Sequence, residues 1–110
     1  KKRFAKGKCF LVRVKGDSMI NAGIEDGDLV VVRAQPTVEI GEIAVVRIEN
    51  EVTVKYFHFE EGKVVLRSAN PKYRPITSSN GDISIIGKVV ELIKKKEADK
   101  ILRPYVNDGN

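Results

Sequence analysis

Val52-Thr53-Val54-Lys55-Tyr56-Phe57-His58-Phe59 is the stretch whose reading decides the fold. Successive side chains of a strand point to opposite faces. Val52, Val54 and Tyr56 therefore share one face, and Thr53, Lys55, Phe57 and Phe59 share the other. Both faces are largely apolar, the pattern of a strand covered on both sides. Lys55 breaks that pattern. In a buried strand its ammonium loses hydration, and desolvation lowers a lysine's pKa. A lysine kept neutral near pH 7 can act as a general base, provided that a group in need of deprotonation lies within reach.

Working outward, β signals dominate. Cys9 to Lys15 reads as a strand ended by Gly16, Leu29 to Val32 as a buried strand, and Ile43 to Ile48 as a third. Asn21-Ala22-Gly23 and Glu25-Asp26-Gly27-Asp28 are turn chemistry, and Pro36 forbids simple continuation of the second strand. Glu49-Asn50-Glu51 makes a tight turn into the Lys55 strand, and Glu60-Glu61-Gly62 reverses the chain into Lys63 to Arg67. Ser68 to Asp82 holds Pro71, Pro75 and Gly81 and reads mostly as loop. Ile83 to Ile93 is a long final strand with a small break at Gly87. Lys95 to Leu102 favours helix, Pro104 stops it, and Asn107 to Asn110 reads as disordered. The expected fold is mostly β, a barrel or sandwich-like domain of short strands with a large loop and a short C-terminal helix.

A chain of 110 residues is one domain with a single core. Its 42% hydrophobic and 32% charged content is that of a soluble globular protein. No apolar run approaches the roughly 18 residues of a membrane span, and no signal-peptide pattern opens the chain. One cysteine, Cys9, cannot form an internal disulfide, which fits a reducing compartment and reads as a small buried hydrophobe at a strand start. The net charge of +5 gathers at the ends, in Lys1, Lys2, Arg3, Lys6 and Lys8 and in Lys94, Lys95, Lys96, Lys100 and Arg103. Such ends either approach nucleic acid or an acidic partner or simply aid solubility.

Gly16-Asp17-Ser18-Met19 lies just past the first strand, where the chain must turn sharply. A serine there presents its Oγ at the end of the sheet, beside backbone N–H groups free to donate. Acyl transfer needs both, a nucleophile and donors for a developing oxyanion. A serine hydroxyl also needs a base, and Ser-Lys variants of the hydrolase arrangement use a neutral lysine. Composition alone leaves a second reading open, in which Ser18 caps a turn and Lys55 reaches to the surface.

The segments Phe10 to Met19 (FLVRVKGDSM), Gly23 to Leu29 (GIEDGDL) and Glu51 to Lys55 (EVTVK) resemble the LexA-type self-cleaving peptidase domain (S24), as in SOS and phage repressors and UmuD-like polymerase accessory subunits. The separation of 37 residues between Ser18 and Lys55, the stretch Asn70-Pro71 to Pro75-Ile76 and the closing strand Ile85 to Val90 are similar to the family in order and spacing. The likeness spans about residues 8 to 94. It implies a LexA/signal-peptidase-like barrel in which Ser18 is the nucleophile, Lys55 the general base, and the N–H groups of Asp17 and Ser18 the oxyanion site. It further implies hydrolysis of an Ala-Gly or Cys-Gly bond upstream of the serine, with an activated RecA filament as co-protease. Other implications are a homodimer through the last strand, a cytoplasmic location, and DNA contact only through an N-terminal domain. No metal and no cofactor are expected.

The expected organisation is a linker remnant (1–7), a Ser-Lys peptidase and dimerisation domain (8–94) and a helical or disordered tail (95–110). Only 17 residues precede Ser18, fewer than the family's cleavage loop requires, so the chain reads as a truncated form or part of a cleavage product. The one Ala-Gly pair, Ala22-Gly23, reads as structural. Alternatives are a UmuD-like accessory subunit or a non-catalytic dimerisation or partner-binding module of the same fold; signal-peptidase-like chemistry shares the dyad but comes with a membrane segment. His58 falls on the face opposite Lys55. Asp26 and Asp28 fit a turn better than a metal site, and Tyr56, Phe57 and Phe59 fit packing better than base stacking.

Overall fold

Seven strands follow one another as β1 (Cys9–Arg13), β2 (Leu29–Ala34), β3 (Ile43–Ile48), β4 (Glu51–Glu60), β5 (Lys63–Arg67), β6 (Ile76–Ser78) and β7 (Ile83–Ile93), and helix α1 (Lys95–Leu102) closes the series. They are seen in a computed structural model that describes residues 7–78 and 82–105. The strands form one antiparallel sheet in the order β1-β2-β7-β3-β4-β5-β6. The mostly-β expectation holds. Among the described residues β1 and β6 do not pair with each other, so they are the two edges of the sheet.

Two tight hairpins build the β3-β4-β5 unit. Ile48 pairs with Glu51, and Glu60 pairs with Lys63, leaving two-residue turns. In the second turn Glu61 and Gly62 both have positive φ, 52° and 76°. That mirror-image turn matches the right-handed twist of the strands it joins.

Strand β7 is the spine. It pairs with β3 over Ile83–Lys88 and with β2 over Gly87–Ile93. The break expected at Gly87 appears as an extra β7 residue, Ile86, between the partners of Val45 and Val46; a second, Val90, falls between the partners of Val31 and Val32. Gly87 is required by close approach: a Cβ there would lie 2.3 Å from the Arg33 carbonyl oxygen and 2.7 Å from Val32 Cγ1.

Alternation along β3 sorts the core into two clusters. Val45 joins Val14, Met19, Ile24, Val30, Val32 and Val54 on one face, while Ala44 and Val46 join Leu66 on the other. Tyr56 packs on the first cluster and Phe57 on the second. The Lys55 strand is covered only in its middle: Val52 is 49% and Phe59 51% exposed. For Phe59 the packing expectation is therefore corrected, because β4 runs past the core at that end. Within the segment expected to be loop, Ile76–Ser78 pairs as β6 on the edge of β5. Pro104 ends the α-helix as expected, in a 3-10 turn (Arg103–Tyr105). Lys1, Lys2, Arg3, Lys6 and the Asn107–Asn110 tail lie outside the described residues.

Candidate active site

Between β1 and β2 the chain leaves the sheet and returns, and its neck is sewn shut. Val14 N–H donates to the Asp28 carbonyl at 2.8 Å, Gly27 N–H to the Val14 carbonyl at 2.8 Å, and Gly16 N–H to Asp26 Oδ1 at 2.7 Å. Met19 and Ile24 plunge into the core beyond the neck. A 3-10 turn (Ile20–Ala22) follows, with Gly23 as its left-handed cap, so Ala22-Gly23 is a structural turn. A second loop grips the outer side. Ala69 N–H donates to the Ser18 carbonyl, Asn21 N–H to the Ala69 carbonyl, and the Asn70 side-chain amide to the Asp17 carbonyl, each at 2.8 Å. Ser18 is thus held from both sides and stays half-buried.

Lys55 reaches this turn from the sheet. It is 6% exposed, and its Nζ lies 2.9 Å from Ser18 Oγ and 3.4 Å from Thr53 Oγ1. As an ammonium it donates to both hydroxyl oxygens; as a neutral amine it can accept the Ser18 O–H. Among the described residues it forms no ion pair, and desolvation by burial holds its pKa below the ordinary lysine value. Its cross-strand partner on β3 is Ala44, whose small side chain shares the same face.

The carboxylate next to the serine is also tied down. The Tyr73 hydroxyl donates to Asp17 Oδ1 at 2.5 Å, and Lys72 Nζ lies 3.2 Å from Asp17 Oδ2. The Tyr73 hydroxyl, and next the Lys72 ammonium, hold the Asp17 carboxyl below its usual range, while the same bond to Asp17 raises the Tyr73 phenol. The Tyr73 ring centroid lies 5.9 Å from Lys55 Nζ. Among the described residues the backbone N–H of Ser18 donates to no other group of the fold, while that of Asp17 lies against its own carboxylate and helps to hold it ionised.

Ser18, Lys55 and Asp17 therefore lie together in space. His58 does not join them; it pairs with Val65 on β5, and alternation points it away from Lys55. Cys9 is a half-buried free thiol at the start of β1. Asp26 and Asp28 serve the turn. Asp28 is 1% exposed, and its Oδ2 accepts from the Glu25 N–H at 2.7 Å and from Lys94 Nζ at 2.5 Å. Its Oδ1 takes the Lys95 N–H at 2.8 Å, capping α1, whose own N-cap residue Lys94 offers no side-chain acceptor. Burial alone would raise the Asp28 pKa, but hydrogen bonds from Lys94, Glu25 and Lys95 outweigh it and hold it below the usual range. Among the described residues no group of three or more His, Cys, Asp or Glu side chains is placed to hold a metal.

Sequence reasoning missed Asn70, Lys72 and Tyr73 as neighbours of the serine. Ser68 to Asp82 read mostly as loop, and nothing in its spacing told which turn that loop would meet.

The geometry is that of a serine on a tight turn of an antiparallel sheet, with the Nζ of a buried lysine 2.9 Å from its Oγ. The sequence matches the Peptidase S24-like family over residues 1–90, and the chain belongs to that family. It is similar to the LexA repressor of Geobacter metallireducens, with 45% identity over 94 residues, which covers 84% of this chain and 47% of that protein. The LexA repressor of Magnetococcus marinus is 48% identical over 89 residues (80% and 38%), and that of Desulfitobacterium hafniense 47% over 85 residues (77% and 41%). The chain thus spans about half the length of these relatives, or less. No helix among the described residues is long and apolar enough to cross a membrane.

Proposed function

We propose that this chain is the self-cleavage and dimerisation domain of a LexA-like repressor, working through Ser18 and Lys55. The observation that carries the reading is the 2.9 Å approach of a buried, ion-pair-free lysine to a serine on a clamped turn. Neutral Lys55 takes the Ser18 proton as Oγ attacks the carbonyl carbon of an Ala-Gly or Cys-Gly bond. The Asp17 and Ser18 N–H groups receive the oxyanion. The Lys55 ammonium then protonates the leaving nitrogen, and a water deprotonated by Lys55 releases the acyl group. The bond lies upstream of this domain in the same polypeptide, so intramolecular delivery supplies the effective concentration.

Peptidase and dimerisation functions belong to residues 8–94 in this reading, with 1–7 as linker and 95–110 as tail. The homodimer forms through β7. Strand β3 pairs with β7 only as far as Lys88, and strand edges invite pairing. An activated RecA filament as co-protease, DNA contact through an N-terminal domain and a cytoplasmic location follow from the likeness to LexA repressors. The names of those relatives favour a repressor over a polymerase accessory subunit.

The test supplies this chain with a LexA-type chain that carries the cleavage loop but lacks its own serine, and follows cleavage by mass spectrometry. Cleavage should accelerate toward alkaline pH and vanish in Ser18→Ala and Lys55→Ala. Parental cleavage by Lys55→Ala would overturn the dyad.

A further inference from the structure

The dyad has a neighbour that the proposed mechanism does not use. Tyr73 sits on the loop that grips the nucleophile turn, is 40% exposed, and joins both halves of the site. Its hydroxyl is bound to the carboxylate of Asp17, the residue before the nucleophile, and its ring stands 5.9 Å from Lys55 Nζ. An exposed tyrosine bound in this way has given up rotamer freedom to hold one orientation. Asn70, three residues earlier, fixes the Asp17 carbonyl at 2.8 Å, so side chain and backbone of Asp17 are held by the same loop.

We propose that Tyr73, aimed by Asp17, is a positioning residue of the dyad: it fixes the turn that presents Ser18 and shields the rim of Lys55 from water. The proposal rests on the Ser18–Lys55 reading. The Tyr73 hydroxyl acts on Ser18 through Asp17, and the ring acts on Lys55. The titratable groups at this rim are Tyr73, Asp17 and Lys72.

Diisopropyl fluorophosphate tests it on the chain as it stands. Ser18 Oγ forms a bond to phosphorus, the P–F bond breaks, fluoride leaves and Lys55 takes the hydroxyl proton. The labelling rate of Ser18 is followed by mass spectrometry from pH 6 to 10. Tyr73→Phe keeps the ring and loses the bond to Asp17; the rate should fall about tenfold at every pH, the low end for a hydrogen bond to a charged group. Asp17→Ala should fall by a similar factor, and the double variant should be no slower than the slower single, because both delete one interaction. Tyr73→Ala should in addition move the midpoint of the pH profile upward, as water reaches Lys55. Thermal unfolding of Tyr73→Phe should fall by no more than about 6 °C, the same hydrogen bond read as stability, which leaves the variant folded in the assay. Single variants labelling within twofold of the parent, or effects that multiply in the double variant, would overturn the proposal. Label on a residue other than Ser18, an unlabelled parent, or parental labelling in Lys55→Met would instead overturn the dyad reading.

Discussion

Asp28→Ala should unfasten the neck of the serine turn and the start of α1 together. The carboxylate accepts from the Glu25 and Lys95 amides and the Lys94 ammonium, and it is 1% exposed. Lys94 is 47% exposed at its side chain and can return to water, so its share is small. The two amides lose charge-assisted bonds, each about 1.5 kcal/mol at the low end of the range, giving about 3 kcal/mol in all. For 110 residues the unfolding entropy is about 0.23 kcal/mol/K, so the midpoint should drop by about 13 °C. Calorimetry reads that drop, and hydrogen exchange should show lost protection at the Ala98 N–H, which donates to the Lys94 carbonyl in the first turn of α1. A pH series adds a sign. Because the folded Asp28 pKa lies below its unfolded value, the carboxylate's stabilisation is fully present above the unfolded value of about 3.9. It is lost as pH falls through the folded one. Asp28→Asn should abolish that acid-range dependence. A midpoint shift under about 4 °C in Asp28→Ala would refute the reasoning, since the buried carboxylate would then not be holding these elements.

Three further outcomes follow. Lys55→Met should stabilise the domain at neutral pH, because it replaces a buried amino group that has no ion-pair partner by an apolar side chain of similar length. The folded lysine has the lower pKa, so the parent gains stability as pH rises from the folded to the unfolded value; the denaturation midpoints of the two proteins should therefore converge toward pH 10.5, and a constant gap would count against desolvation. Gly87→Ala should cost about 3 kcal/mol in urea unfolding, the upper end for overpacking, because its Cβ would strike the Arg33 carbonyl rather than a movable side-chain tip. Glu61→Asn should raise stability by about 0.5 kcal/mol, since Asn-Gly suits a turn with two positive φ angles; a loss in midpoint would reject that turn type.

Sequence by itself determined the local elements. Period-two alternation and turn residues placed six strands and both hairpins, because each depends on a few consecutive side chains. Alternation also placed Lys55 on the face opposite His58, but the register that sets it opposite Ala44 came from the structure, where Glu51 belongs to the strand and not to the turn read at Glu49-Asn50-Glu51. The small strand Ile76–Ser78 escaped notice because its pairing is supplied by β5, beyond its own three residues.

Tertiary structure alone decided what stands against what. Ser18 and Lys55 are 37 residues apart, Asn70 and Asp17 are 53 apart, and Asp28 and Lys95 are 67 apart. Spacing carries no record of such contacts, since one separation in sequence is compatible with many distances in space. Closing the 14–28 neck and laying the 69–73 loop against it fixes these distances. The same closure removes water from Lys55, and desolvation is a property of everything packed around a charge. The sequence could mark a lysine in an apolar strand; only the packed loops bring a serine to its Nζ and a tyrosine to its rim.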